Sequence, residues 1–107
     1  MAGVKRTPAA VNRAMKHLGD DLRTWRLLRR LTAAEDAERA RLTRQTVLRI
    51  EKGGGAGLES VLSVARALGV LDQLASALDP YATDVGRLRA DEVLPERVRH
   101  SRPRSES

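Results

Sequence analysis

The segment Leu31–Lys52, LTAAEDAERARLTRQTVLRIEK, contains the pattern that decides the fold of this chain. It predicts two short helices, at residues 33–40 and 44–52, joined by a tight turn at residues 41–42. Helices this short are stable only when they pack on a common core. The segment therefore predicts a compact helical domain in which these two helices are neighbours.

Both predicted helices are preceded by a threonine, a residue type favoured at the N-cap. Thr32 is followed three residues later by Glu35, which is the pattern of a capping box. Thr43 precedes the second helix, and the glycine-rich run at residues 53–57 ends it. Local chemistry thus specifies both helix starts.

The second helix of the pair has two distinct faces at about 100° per residue. Val47 and Ile50 fall on one side and are expected to pack on the core. The other side carries long polar and basic side chains and one leucine: Arg44, Gln45, Leu48, Arg49 and Lys52. Arginine can bond guanine, glutamine can bond adenine, and an aliphatic chain can contact the thymine methyl group. The alternative is an ordinary solvated helix face.

A long helix is predicted before this pair, starting with Thr7 as a hydroxyl cap and Pro8 at the first turn. Gly19 lies inside it and predicts either a bend or a break into two helices. Apolar residues recur at intervals of three and four: Val11, Met15, Leu18, Leu22 and Trp25.

Leucine spacing predicts further helices after the pair, and no strand pattern occurs. One covers residues 58–68 and ends at Gly69, and the next ends before Pro80. A short helix over about 83–93 and a loose tail after Pro95 follow. The second of these helices leaves a leucine stripe free for a twin subunit: Leu71, Leu74 and Leu78.

The net charge of +6 is unevenly distributed. Residues 1–32 contain eight Lys/Arg and two Asp, whereas residues 58–80 contain one Arg and three acidic residues. A basic end and a less charged, apolar end suit a protein that binds a phosphate backbone. A solvated basic surface is the alternative.

Several classes of function are not expected. The chain has no cysteine, so disulfides and thiolate metal sites are excluded. No signal peptide or membrane-spanning run is apparent, which predicts a cytoplasmic protein. No catalytic constellation is visible, so we expect no enzyme activity, no metal and no cofactor.

Residues 18–70 resemble the Cro/cI-type helix-turn-helix of the xenobiotic response element family. The matching segments, in chain order, are Leu18-Gly19, Leu22-Arg23, Arg26, Leu31-Thr32, Ala37-Glu38-Arg39-Ala40, Thr43-Arg44-Gln45-Thr46-Val47, Arg49-Ile50-Glu51, Gly53 and Ala67-Leu68-Gly69-Val70. The resemblance implies an all-α, compact five-helix DNA-binding domain at residues 18–79. It leaves an N-terminal extension at residues 1–17 and a C-terminal tail at 80–107.

The resemblance also implies roles for individual residues. Arg26 and Glu51 would form an ion pair that orients the third helix. The residues expected at base edges are Arg44, Gln45, Leu48 and Arg49, and those expected at phosphates are Thr32, Thr43 and Lys52. Double-stranded operator DNA is the implied partner, bound by a homodimer whose two reading helices lie about 34 Å apart.

Three positions depart from the family pattern. Ala33 stands where many relatives have a glutamine that bonds phosphate, and Asp36 stands where relatives bury an aliphatic residue. Arg41 replaces the usual turn glycine, at a cost of roughly 1 kcal/mol if its backbone is left-handed. Arg41 could instead contact phosphate.

Residues 24–28, 67–72 and 78–99 are similar to a narrower group, the HipB-type antitoxins encoded beside HipA-like kinases. This similarity implies a repressor that autoregulates its operon and also binds a toxin kinase. The alternatives are a stand-alone phage- or metabolism-type repressor and a protein-interaction module with weak DNA binding.

Overall fold

The computed structural model describes residues 6–94, and every regular element within them is helical. The α-helices are α1 (Ala9–Leu28), α2 (Ala33–Ala40), α3 (Arg44–Glu51), α4 (Leu58–Leu68), α5 (Leu71–Ser76) and α6 (Asp84–Val93). A short 3-10 helix, Pro80–Ala82, precedes α6. The all-α prediction is confirmed. The loose tail predicted after Pro95 lies outside the described residues.

The chain divides into two compact units, with the boundary between Leu74 and Ala75. The first unit contains α1 to α4 and the start of α5. The second contains the 3-10 helix and α6. Within residues 6–94, no helix is both long and apolar enough to cross a membrane.

The core of the first unit is aliphatic. Leu22 of α1, Val47 of α3, and Val64 and Leu68 of α4 are each at most 2% exposed. On α2 the core residues are alanines, so this helix approaches its neighbours closely. The small side chains of α2 explain how a chain without phenylalanine fills the space between short helices.

Helix α1 is continuous over its 20 residues, so Gly19 does not break it into two helices. A Cβ atom at Gly19 would lie 2.4 Å from the carbonyl oxygen of Ile50. The glycine is therefore needed for α1 to cross the C-terminal end of α3. The predicted Thr7 cap is wrong, because Pro8 is the N-cap and no side chain caps the helix.

Helix α5 is shorter than the leucine spacing predicts, because it ends at Ser76. Asp79 instead caps the 3-10 helix, accepting a hydrogen bond from the Tyr81 amide at 3.0 Å. Leu78 consequently lies outside α5 and is 91% exposed. Leu71 and Leu74 are partly buried against the core of their own unit.

The second unit is organised by the start of α6. The Thr83 hydroxyl accepts a hydrogen bond from the Gly86 amide at 2.9 Å and donates one to the Pro80 carbonyl at 3.0 Å. A Cβ atom at Gly86 would lie 1.9 Å from that carbonyl oxygen. Gly86, which weakens the sequence prediction of a helix here, is required by this close approach.

Candidate nucleic-acid interface

The start of α2 has the predicted capping box. The Thr32 hydroxyl accepts a hydrogen bond from the Glu35 amide at 3.0 Å, and the Glu35 carboxylate accepts one from the Thr32 amide at 2.8 Å. This bond to the Thr32 amide lowers the pKa of Glu35. Thr32 is exposed, and its hydroxyl retains a proton that it can donate to a phosphate.

The start of α3 is capped in a similar way by Thr43, without a carboxylate partner. Its hydroxyl accepts a hydrogen bond from the Thr46 amide at 3.1 Å and lies 2.9 Å from the Thr46 hydroxyl. At both helix starts, the amide of the third helical residue thus donates to a threonine hydroxyl. Positive helix ends of this kind favour nearby anions.

Arg41 ends α2 in the left-handed conformation, with φ 61° and ψ 42°. Its amide and that of Leu42 bond the Glu38 and Ala37 carbonyl oxygens, at 3.2 and 2.9 Å. This closes the turn as a glycine would, but Arg41 carries a Cβ, which costs about 1 kcal/mol. Its side chain is exposed.

Helix α3 places Val47 and Ile50 in the core, at 0% and 5% exposure. The polar residues predicted on its opposite face are all exposed: Arg44, Gln45, Arg49 and Lys52. A helix that is anchored on one side and bears arginine and glutamine on the other can enter a major groove.

Leu48 differs from its exposed neighbours, because it is half-buried and packs against the core. The wheel places it at the edge of the exposed face, about 40° from Arg44. Part of its side chain therefore belongs to the core, and less of it is available for a base edge than the sequence predicts.

Arg49 makes a contact that nothing in the sequence pattern predicts. Its Nε donates a hydrogen bond to the Gly55 carbonyl oxygen at 3.0 Å, and the Gly54 amide bonds the Arg49 carbonyl at 2.8 Å. A Cβ atom at Gly54 would lie 2.6 Å from Cγ of Arg49. The Arg49 side chain thus holds the glycine-rich loop after α3 in place, and it is also exposed on the helix surface.

Arg26 and Glu51 join α1 to the end of α3. Arg26 Nε lies 2.7 Å from Glu51 Oε2, and Nη2 lies 3.0 Å from Oε1. Arg26 Nη1 also donates to the Leu31 carbonyl oxygen at 3.0 Å. Both residues are buried, at 8% and 4% exposure, and the hydrogen bond to Glu51 raises the pKa of Arg26. The pair fixes the angle of α3 relative to α1.

Asp36 is the unusual group in this region. It is 0% exposed, and neither carboxylate oxygen has a hydrogen-bond partner among the described residues. Burial first, and then the charge of Glu51, raises the pKa of Asp36 to about 6, against the opposing effect of Arg26 and Arg39. A buried carboxyl group without partners destabilises the folded state when it is ionised.

Arg29 makes a second contact between helices, which the sequence does not predict. Its Nε donates to the Leu68 carbonyl oxygen at the end of α4, at 2.9 Å. Its guanidinium lies 5.2 Å from the Trp25 ring centroid. A cation at a helix C-terminus and over an indole face is favourable on both counts.

Comparison with known proteins yields one result. A helix-turn-helix family model matches residues 22–79, which is more than half of the 107 residues. No curated protein and no solved structure gave a match. The match spans α2, the turn and α3, together with the capped helix starts and the exposed face described above. The chain therefore belongs to the Cro/cI-type helix-turn-helix family of DNA-binding regulators.

Proposed function

We propose that this protein is a sequence-specific transcriptional repressor that binds operator DNA through the exposed face of α3. The observation that carries the proposal is the two-sided structure of α3. Val47 and Ile50 anchor it, Glu51 fixes its angle through Arg26, and Arg44 and Gln45 are exposed on its other side.

Two residues are the strongest candidates for base contacts. Arg44 and Gln45 are exposed in the first turn of α3, and no ion pair or side-chain hydrogen bond engages them within residues 6–94. Arg49 has one nitrogen bound to the loop, and Leu48 is partly in the core. Arg49 and Leu48 are therefore assigned secondary contacts to bases.

Phosphate contacts are proposed around these two residues. Thr32 and Thr43 lie at the two capped helix starts, and Arg41 and Lys52 are exposed near the two ends of α3. Contacts of this type position a protein on the duplex without reading sequence.

We further propose that the protein binds as a homodimer. Leu58, Leu62 and Leu71 line an open, largely apolar groove on the first unit, and Leu58 is 73% exposed. Leu71 and Leu74 are partly buried against the protomer core, and the groove beside Leu71 includes Leu58 and Leu62 of α4, which the predicted leucine stripe does not contain. Sedimentation equilibrium checks this: a monomer at micromolar concentration contradicts it.

The base-contact proposal is tested with an operator selected by the purified protein from a random duplex library. In a mobility-shift titration, Gln45→Ala and Arg44→Ala should each weaken operator binding by about 1–3 kcal/mol and reduce preference for the selected sequence. The matched control is Gln73→Ala, a change to an exposed glutamine on α5. Unchanged operator binding in both α3 variants would overturn the proposal.

A finer proposal is that the repressor is the antitoxin of a HipA-like kinase. Its support is the resemblance of residues 24–28, 67–72 and 78–99 to HipB-type proteins. Co-expression with the product of the adjacent reading frame tests it. A stable complex with a kinase-like protein supports it, whereas an adjacent product without a kinase fold, or no complex, leaves the stand-alone repressor.

A further inference from the structure

The N-terminal half of α1 lies outside the part of the chain that the family model matches. The match begins at Leu22, whereas α1 begins at Ala9. Residues 9–21 therefore add roughly three and a half helical turns in front of the matched domain. These turns continue α1 without interruption and are fixed to the domain by the second half of the same helix.

Two glycine contacts locate this added segment beside the end of α3. Gly19 lies against the carbonyl groups of Ile50 and Glu51, where a Cβ atom would approach to 2.4 and 2.7 Å. Three residues earlier, the backbone of Lys16 lies against Gly53, at 3.0 Å from the position of an added Cβ. Lys16 therefore lies next to the residue that follows Lys52.

Basic side chains lie along one side of α1, next to the face where Gly19 and Lys16 meet the end of α3. With Gly19 set at zero on a helical wheel, Arg23, Lys16 and Arg13 fall at about 40°, 60° and 120°. The core residue Leu22 falls at about 300°, on the other side of Gly19. The basic stripe, defined as Arg13, Lys16 and Arg23, thus runs along the side of α1 that turns away from the core.

The basic stripe is not neutralised by the protein. All three side chains are exposed, and none forms an ion pair within residues 6–94. Asp20 lies on the same side of α1 as the basic stripe, at about 100° on the wheel. Asp21 lies 3.5 Å from His17. Three unpaired cations against one carboxylate leave this flank of α1 positive.

We propose that the basic stripe is a second DNA-contacting surface, which binds the phosphate backbone next to the groove that α3 enters. This inference rests on the proposed function, since it needs the helix-turn-helix domain to bind duplex DNA. Arg13 and Lys16, the two members of the stripe that are proposed to bind phosphate, lie outside the matched residues 22–79. The stripe contacts phosphate oxygens through Lys16 and Arg13 and carries no sequence information.

The test is the salt dependence of binding to two labelled 30-base-pair duplexes, the selected operator and a scrambled sequence. Each lost phosphate contact should reduce the slope of log K against log salt by about 0.9. The double variant Lys16→Gln/Arg13→Gln should therefore lower the slope by about two per protomer. Near 0.1 M salt its affinity should fall roughly five- to tenfold per contact, equally for both duplexes.

The matched control is Arg89→Gln, which removes one positive charge from an exposed position on α6, in the second compact unit and outside the apolar groove. It should change the slope by much less than Lys16→Gln alone. Equal effects of these two single variants would assign the result to net charge and overturn the proposal. Thermal melting checks that the double variant is folded, which is expected because both side chains are at the surface.

Two further outcomes separate this proposal from the proposed function. If wild type prefers the selected duplex and the double variant keeps the full slope, only the basic stripe is rejected. If wild type binds both duplexes equally and the double variant loses slope, operator recognition by α3 is rejected and the stripe stands. A loss confined to the operator would indicate base contacts and overturn the phosphate assignment.

Discussion

Helices α2 and α3 are both eight residues long, both begin at a capping threonine, and both bury an acidic residue. They differ in how that acid is held. Glu51 of α3 has both oxygens bonded to Arg26, whereas Asp36 of α2 has no partner for either oxygen among the described residues. The two helices therefore hold a buried carboxyl group in opposite ways, one with both oxygens paired and one with neither.

The two helices also differ in the backbone conformation at their C-terminal ends. Helix α3 ends at Lys52 with φ −90°, an ordinary backbone conformation, and α2 ends at Arg41 with φ 61°. Helix α3, proposed to bind DNA, is therefore firmly fixed to α1. Helix α2, which supports it, carries both an unpartnered acid and, at its end, a residue in the left-handed conformation.

The largest expected effect is on the paired acid. Glu51→Ala leaves the buried Arg26 guanidinium without its partner and should lower the free energy of unfolding by about 3–5 kcal/mol. Urea titration followed by circular dichroism measures it. Lys52→Ala, at the exposed next residue, should change stability by less than about 0.5 kcal/mol. Equal, small effects of the two changes would contradict the role of the ion pair.

Replacing the unpartnered acid, Asp36, should have the opposite effect and raise the free energy of unfolding. Because folding raises the pKa of Asp36 from 3.8 to about 6, its destabilising effect is absent below pH 3.8, develops as pH rises from 3.8 to 6, and is complete above pH 6. The shift corresponds to at most about 3 kcal/mol. Asp36→Leu should therefore stabilise the protein by about 1–3 kcal/mol at pH 7.5.

The pH dependence distinguishes ionisation of Asp36 from a simple packing effect. The stability difference between Asp36→Leu and wild type should shrink between pH 7.5 and pH 4, because the wild-type carboxyl group becomes neutral. Asp36→Asn, with nearly the same volume and no titration, is the control. A difference that stays constant with pH would show that Asp36 ionisation is not the cause.

Removing either threonine cap should have a smaller effect on the free energy of unfolding. Thr32→Ala removes one bond of a reciprocal capping box, and Thr43→Ala removes a single cap, each at about 1 kcal/mol. The second bond of the box, from the Thr32 amide to the Glu35 carboxylate, survives both changes, and its contribution to stability should be lost as pH falls through the lowered pKa of Glu35. Thermal melting at pH 7 compares the two threonine variants, and Glu35→Ala should destabilise the protein less at pH 3 than at pH 7.

The smallest expected effect is at the turn. Arg41→Gly removes the Cβ from a left-handed residue and should raise the free energy of unfolding by about 0.5–1 kcal/mol. Arg39→Gly, at an exposed position inside α2, should lower it by about 1 kcal/mol. If both changes destabilise equally, the backbone of Arg41 is not strained.

The parts of the fold that the sequence predicts are those set by local chemistry. Thr32, Thr43 and Gly69 each act within one turn of their own position, so the bounds of α2, the start of α3 and the end of α4 could be predicted. The 3.6-residue period likewise places Val47 and Ile50 in the core.

The contacts that could not be predicted depend on distant residues. Gly19 meets the end of α3, and Arg29 bonds the end of α4. The early end of α5 at Ser76 arises because Asp79 caps the next helix. In the site, the same limit applies to Arg49, whose bond to Gly55 depends on the path of the loop.

The contact between Arg29 and Trp25 provides an intrinsic fluorescence probe of unfolding. Trp25, in the first compact unit, is the sole tryptophan, and Tyr81, in the second, is the sole tyrosine. Trp25 is half-buried with a guanidinium 5.2 Å from its ring centroid, so its fluorescence responds when α1 leaves α4. Excitation at the long-wavelength edge, where tyrosine does not absorb, can therefore follow the first unit alone during a denaturation, without any added label.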